Sequence, residues 1–518
     1  MKKKADIPGA GRAAKNLVAG WIVQLAGVLY AFVTVPLITR AFGFEGLGIW
    51  LIIQQVSGHL QLFEIGINTS LGRYLSRFLA QSDMQKHNAY LSAAFIILSG
   101  ACLIVLLSTA FISAHLADIF DITSSYGAQA FWMVLFAGVA TGLMLPLRVG
   151  LGVLASRHRF DIISKWELVV VALKLFIVLL VCFGLREDGL VWLSVGVFGS
   201  MLLCGFLLFF ESLRTLPDSR IALSFVTWGS AKALLSISAS TLIISAAAVV
   251  LRQGAPMFVG VQFGVEAVPL LALPLMIVTT IGPFVNITNK LIAPIASHAD
   301  ATHQRERLFN IVSFSSQYAL SGAFGLLCVF AAVGKSFLLI WLGKKNLSLD
   351  QVFIIYDNTL FVLGSFCLSI PALLGRSVMS SVGQHWQAAI SEVTCVLFGM
   401  TVGMLLVFYF DAETWGMAVG VGATYLVRII GRVVPALAQY FSASIFKVYV
   451  HMWGRAFLIG AFTLTLVVVS PRYLGDSWTN RLIGDMVIMS MWSVLTFAFV
   501  VKVEHRALLM QYLRHLGR

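Results

Sequence analysis

The chain is poor in charge. Only 11% of its 518 residues are Asp, Glu, Lys or Arg, against about 25% in soluble globular proteins, which excludes a water-soluble multidomain enzyme. Cysteine is scarce too. The six present (Cys102, Cys182, Cys204, Cys328, Cys367 and Cys395) fall inside apolar runs without metal or redox spacing and read as small lipophilic packing residues. No nucleotide-phosphate loop occurs: Gly334-Lys335-Ser336 comes nearest, and Val329 stands where such a loop needs its first glycine. HExxH, paired-cysteine and nucleophile-elbow motifs are missing as well. No cofactor is expected, and ATP hydrolysis by this chain is not. Long extramembrane loops are also lacking. The first outer loop is little more than 39–46, and the longest, 334–351, holds few catalytic residue types. A membrane-embedded glycan polymerase or transferase is therefore disfavoured.

What the chain has is apolar sequence, 59% of it. About fourteen runs stand out, at 17–38, 47–67, 89–112, 128–147, 166–185, 190–210, 233–258, 267–287, 311–333, 352–374, 388–410, 416–437, 453–470 and 482–501. A hydrocarbon layer of about 30 Å needs about 20 apolar residues in a helix, so the expected class is all-α and polytopic, and transport is the first function to test. Lys and Arg sit on alternate loops. Counting those at helix ends with the loop they adjoin, 27 of the 36 lie on the side of the N-terminus and 7 on the other, with Lys174 and Arg252 inside runs. The positive-inside rule then predicts both termini in the cytoplasm of a multi-pass bacterial inner-membrane protein. Topology and anionic headgroups account for the net charge of +13. Membrane lipids are expected partners and nucleic acid is not. The basic N-terminal segment resembles a signal-peptide start, but the apolar run after it is too long and has no small-residue cleavage site, which predicts a retained first helix.

The chain repeats itself. Phe42-Gly43-Phe44-Glu45 matches Phe263-Gly264-Val265-Glu266 at an offset of 221, which also pairs Asn68 with Asn289 and Gln24 with Ser245. Leu98-Ser99-Gly100-Ala101 recurs as Leu320 to Ala323, and Glu167 pairs with Glu392. Six runs separate the copies, an even number, so the halves share orientation about an axis along the membrane normal. The expected organisation is a basic N-terminal segment at 1–16, a six-helix bundle at 17–210, a cytoplasmic linker at 211–232, a second six-helix bundle at 233–437, two further helices within 438–501 and a cytoplasmic tail at 502–518.

Polar residues gather into stripes on single helix faces. Gln24 belongs to one on the first run, Gln54, Gln61, Glu64 and Asn68 to one on the second, and Ser238, Thr241, Ser245 and Arg252 to one on the seventh. Membrane helices turn such faces toward protein or water. Helix packing explains any one Ser, Gly or Thr; the stripes together point to a cavity. Lys174 lies near the centre of its run, where a lysine costs about 3 kcal/mol on the insertion scale. It is either a cation lining a wet cavity or a partner for Glu167 two turns away. Arg252 is either a bidentate phosphate ligand or an interfacial anchor. Arg148, Arg376, Arg428 and Arg432 sit at inner helix ends, where anchoring is the default and substrate contact the alternative. Glu64 either carries H+ or Na+ or neutralises Arg73 or another inner basic residue. Glu392 is a second coupling candidate, although an acid in a first turn also complements the helix dipole. His59, a lone histidine on another face, reads as a packing residue.

The stretch Pro36-Leu-Ile-Thr-Arg40-Ala-Phe-Gly43-Phe-Glu45-Gly-Leu-Gly48-Ile-Trp50, with Phe63-Glu64-Ile-Gly66-Ile-Asn68, Leu71-Gly72-Arg73-Tyr74 and Trp341-Leu342-Gly343, resembles the polysaccharide flippases of the Wzx type. These belong with multidrug extruders and the lipid II flippase in one superfamily of multidrug, oligosaccharidyl-lipid and polysaccharide exporters. The resemblance implies a V-shaped pair of bundles with a central cavity open to one side at a time. It implies as cargo an undecaprenyl-pyrophosphate oligosaccharide, with a polysaccharide polymerase and a chain-length regulator as partners. The cavity cations would be Lys174, Arg252 and Arg148, the polar lining Gln24, Gln54, Gln61, Asn68 and Ser245, and the coupling acids Glu64 and Glu392. A drug or cation antiporter on the same fold is the alternative, and it calls for acids rather than cations at the deepest positions.

Overall fold

In a computed structural model the described residues are 10–122, 124–185, 188–343, 348–470, 478–502 and 504–506, and among them every regular element is helical. In chain order the helices are α1 (Ala10–Leu60), α2 (Leu62–Ala80), α3 (Met84–Ile119), α4 (Ser124–Leu147), α5 (Val149–Ser156), α6 (Phe160–Gly184), α7 (Gly189–Thr215), α8 (Trp228–Val249) and α9 (Ala255–Phe263). They continue with α10 (Val268–Ala301), α11 (Arg305–Leu342), α12 (Leu349–Ser381), α13 (His385–Phe410), α14 (Glu413–Ile430), α15 (Val433–Tyr440), α16 (Ile445–Met452), α17 (Gly454–Val469) and α18 (Trp478–Leu495). Twelve stretches are long and apolar enough to cross a membrane, and α16 with α17, bent by 53°, adds a thirteenth. One of the twelve is Val18–Leu60, 43 residues and about 65 Å of helix at 1.5 Å per residue, twice the thickness to be crossed. It breaks at Gly43, whose φ of 74° and ψ of −174° are not helical, and so holds two spans. Fourteen apolar crossings result among the described residues, in line with the sequence.

The repeat reappears in the backbone. Ten of the twelve described residues with positive φ form five pairs: Gly43 (74°) with Gly264 (80°), Ser82 (56°) with His303 (57°), Asp121 (50°) with Gly343 (86°), His158 (54°) with Gly383 (87°) and Asp188 (51°) with Asp411 (49°). Their separations of 221, 221, 222, 225 and 223 residues bracket the offsets seen in the sequence. At each of these positions a left-handed residue turns the chain, and glycine, aspartate and histidine tolerate it better than most residues.

The described helices fall into two compact units that divide within α10, between Ala272 and Leu273. In the first, α1 packs on α4 and α6, α4 on α3 and α7, and α2 on α3, α5 and α8. The linker after α7 is strapped to the start of α3: His87 Nε2 meets Ser219 Oγ at 3.0 Å, the Arg220 N–H donates to Asn88 Oδ1 at 3.0 Å, and the Ala222 N–H donates to Ser92 Oγ at 3.2 Å.

In the second unit α13 and α14 form a glycine seam. Gly399-Met-Thr-Val-Gly403 on one faces Gly416-Met-Ala-Val-Gly420 on the other. A methyl group on Gly420 would lie 2.6 Å from Gly403 Cα, and one on Gly399 would overlap Thr424 Oγ1. Two small-xxx-small words let these backbones touch.

Candidate functional site

The first unit contains a cavity of about 370 Å³, within the size range of ligand clefts. Four membrane helices line it. Helix α1 supplies Gln24 and Gly27, α4 supplies Met144, α6 supplies Glu167, Val170, Val171 and Lys174, α7 supplies Cys204 and Gly205, and Arg148 closes one end. Two small residues, Gly27 and Cys204, stand on the walls that share the space with a long lysine, and a methyl group on Gly27 would meet nothing within 4 Å.

Lys174 lies ten residues before the end of α6 at Gly184, about 15 Å into the helix. It is half-buried, and no ion pair involves it among the described residues. Its ammonium lies 5.9 Å from the centre of the Tyr30 ring, a weak attraction at that range. Glu167 lines the same cavity, yet the two do not pair. Of the two sequence readings of Lys174, a cation facing a cavity describes this geometry and a structural partner for Glu167 does not.

Arg148 is the second cation at the cavity. Its Nε lies 3.2 Å from Glu64 Oε2, and Asn68 Nδ2 donates to the other oxygen at 3.0 Å. Glu64 therefore neutralises an inner arginine, and that arginine is Arg148. Arg252 stands apart: it is exposed, and its Nε donates to the Ala248 carbonyl at 3.2 Å. Gln24 lines the cavity, whereas Gln54, Gln61, Asn68 and Ser245 are half-buried elsewhere. The side chains of Ser238 and Thr241 lie outside the described residues.

A second cluster of charge lies in the second unit. Glu392 accepts from Arg428 Nη2 at 2.6 Å and pairs with Arg376 Nη1 at 2.5 Å. The Glu392 side chain is 4% exposed and that of Arg428 3%. The glycine seam sets this up: Gly399 opposite Thr424 and Gly403 opposite Gly420 fix an antiparallel register that carries Glu392 on α13 to Arg428 on α14. The sequence named all three residues without joining them. The repeat gave no signal for the pairing: Glu392 follows Glu167 by 225 residues, but Glu167 lines the cavity while Arg148 pairs with Glu64.

No family model matches the sequence, and no curated protein matches it either. Solved structures do. The lipid II flippase MurJ in an inward closed conformation superposes with a TM-score of 0.67 at 10% identity, over 94% of this chain and 100% of that one. An inward-facing multidrug-resistance MATE transporter gives 0.63 at 12% identity, over 82% of this chain and 98% of that one. A transporter of the same superfamily from Pyrococcus furiosus, described as having a binding pocket of reversed polarity, gives 0.55 at 14% identity over 87% and 99%. The fold is that of this flippase and transporter superfamily. These neighbours are transporters and a flippase, and the chain is a multi-pass membrane protein with their architecture.

Proposed function

We propose that this protein is a flippase that carries an undecaprenyl-pyrophosphate-linked oligosaccharide from the cytoplasmic to the periplasmic leaflet of a bacterial inner membrane, for assembly of O-antigen, capsule or exopolysaccharide. The observation that carries the proposal is Lys174, a lysine within the membrane that faces a cavity and has no ion-pair partner among the described residues. A pyrophosphate crossing hydrocarbon loses its hydration, and a preplaced cation offsets that loss without reorganising. Arg148 stands at the same cavity as a second cation, and taking the pyrophosphate in place of Glu64 as its partner would release the Glu64 carboxylate. Gln24 offers an amide to sugar hydroxyls while the prenyl tail stays in the bilayer. Likeness in fold to a lipid II flippase supports a lipid-linked cargo. The bias of basic residues supports cytoplasmic termini. An H+ or Na+ gradient, or downstream polymerisation, is the proposed drive.

Complementation of a deletion strain with Lys174→Ala tests this. Export should fall at least about tenfold, a change of about 1.4 kcal/mol, with near-normal protein levels and lipid-linked glycan trapped on the inner leaflet; undiminished export removes Lys174 from the mechanism. One observation favours a drug or cation antiporter instead, namely Glu167 on the cavity wall without an ion pair among the described residues. Under that reading Glu167→Gln abolishes transport and Lys174→Ala does not.

A further inference from the structure

The first unit holds another polar site, where α1 meets the seventh crossing. Pro256 has no N–H for the carbonyl four residues earlier, and its ring crowds that carbonyl; the backbone just before it widens into a π-helical turn, Val250–Gly254, a device common at functional positions. Gln253 on this turn lays its amide against Gly58 of α1, where a methyl group would lie 2.5 Å from Gln253 Cδ. Gln253 Oε1 is buried and accepts no hydrogen bond among the described residues. A buried acceptor without a donor is costly. Next to Gly58, His59 places Nδ1 2.9 Å from the Gln55 carbonyl. A carbonyl only accepts, so Nδ1 carries the hydrogen and Nε2 of the neutral ring is a bare lone pair. That Nε2 faces the same π turn, 4.0 Å from where a Cβ on Gly254 would stand.

We propose that His59 and Gln253 form a proton-binding site within the membrane. A hydronium ion delivers its proton to Nε2, an N–H bond forms, water leaves, and the imidazolium presents a second donor to the π turn that carries Gln253. The charged groups facing this point are few. Arg252 on the π turn is exposed and turned back to Ala248, Glu64 on α2 is held by Arg148, and Arg73 and Arg77 on α2 and Lys232 on α8 are exposed. On α6 Asp161 pairs with Arg159, Lys165 lies over Trp166, and Glu167 and Lys174 line the cavity. Helix α4 carries no charged residue over 124–147, and Glu266 lies on the turn after α9. No ion pair reaches His59 among the described residues. The site extends the transport reading by naming its driving ion, and it does not depend on the cargo.

Histidine-selective ¹⁵N NMR of the full chain in nanodiscs tests it, with the His59 signal assigned, among ten histidines, by its loss in His59→Gln. In spectra recorded over the range from about pH 8 to 5, the expected result is an Nδ1–H tautomer that gains a proton on Nε2 on acidification, with a changed response in Gln253→Leu. Should His59→Gln fail to fold, the signal displaced in Gln253→Leu supplies the assignment. A ring that stays singly protonated over that range overturns the proposal. In proteoliposomes carrying lipid-linked glycan, an imposed pH gradient should speed flipping several-fold for the native chain and leave His59→Gln unchanged; equal acceleration of both also overturns it. A His59 that titrates in a protein that flips no glycan keeps the proton site and refutes the cargo alone.

Discussion

In the first unit α6 and α7 border a cavity around a half-buried lysine, while in the second α13 and α14 touch backbone to backbone over a sealed glutamate with two arginines. These are corresponding helix pairs of one repeat. At an offset of 225, Glu167 matches Glu392 and Lys174 matches Gly399; at 224, Gly196 matches Gly420, Ser200 matches Thr424 and Cys204 matches Arg428. The two copies have exchanged the long cation and the small residue. With lysine on the first helix and cysteine on the second, a charge faces open space; with glycine and arginine in those places, the charge is consumed by Glu392 and the space is gone. Position in the repeat thus decides where a residue sits. Size on each side of the pair decides whether the place becomes a site.

Four substitutions break or sharpen this comparison. Glu392→Ala should have the largest effect, because it leaves two arginines buried without an anion, at a cost of about 3–5 kcal/mol. Little folded protein should survive detergent extraction and size-exclusion chromatography, and a native-like elution profile would show that the triad contributes nothing to stability. Gly399→Ala follows, since its methyl overlaps Thr424 Oγ1; overpacking of this kind costs about 1–3 kcal/mol, seen as a lower Tm with the charge pairs retained. Cys204→Arg transplants the second unit's arrangement into the first. An arginine there should pair with Glu167 and fill the cavity, lowering export about tenfold, about 1.4 kcal/mol, with an unchanged Tm. Unaltered export from this variant would break the analogy between the pairs. Arg252→Ala should have the smallest effect, less than about 0.5 kcal/mol in stability as for most exposed sites, with export within about twofold of native, because its guanidinium is spent on its own helix.

Much of the architecture was legible in the sequence because hydrophobic length and loop charge are one-dimensional signals. The crossings and the repeat needed only windows of about 20 residues. Parts of the repeat escaped, because a left-handed corner constrains φ and not identity: Asp121 answers Gly343 and His158 answers Gly383, pairs that no letter match reveals. The cavity was half legible. Lys174 stood out by its cost in an apolar run, and Arg148 by its helix-end position, but whether each has a partner depends on neighbours far along the chain. Arg252 read in the sequence as either a phosphate ligand or an interfacial anchor, and in the structure it is exposed and bonded to Ala248. His59 was passed over as packing, since the turn it faces is formed near Pro256, about 200 residues later.

The seam between α13 and α14 has one more implication. Side chains that would otherwise cushion the contact are missing over two glycines on each helix, so few rotamers remain to absorb a displacement by readjusting. A push on either helix passes to the other almost undiminished, and the pair should behave as a single stiff spar in any motion this protein undergoes.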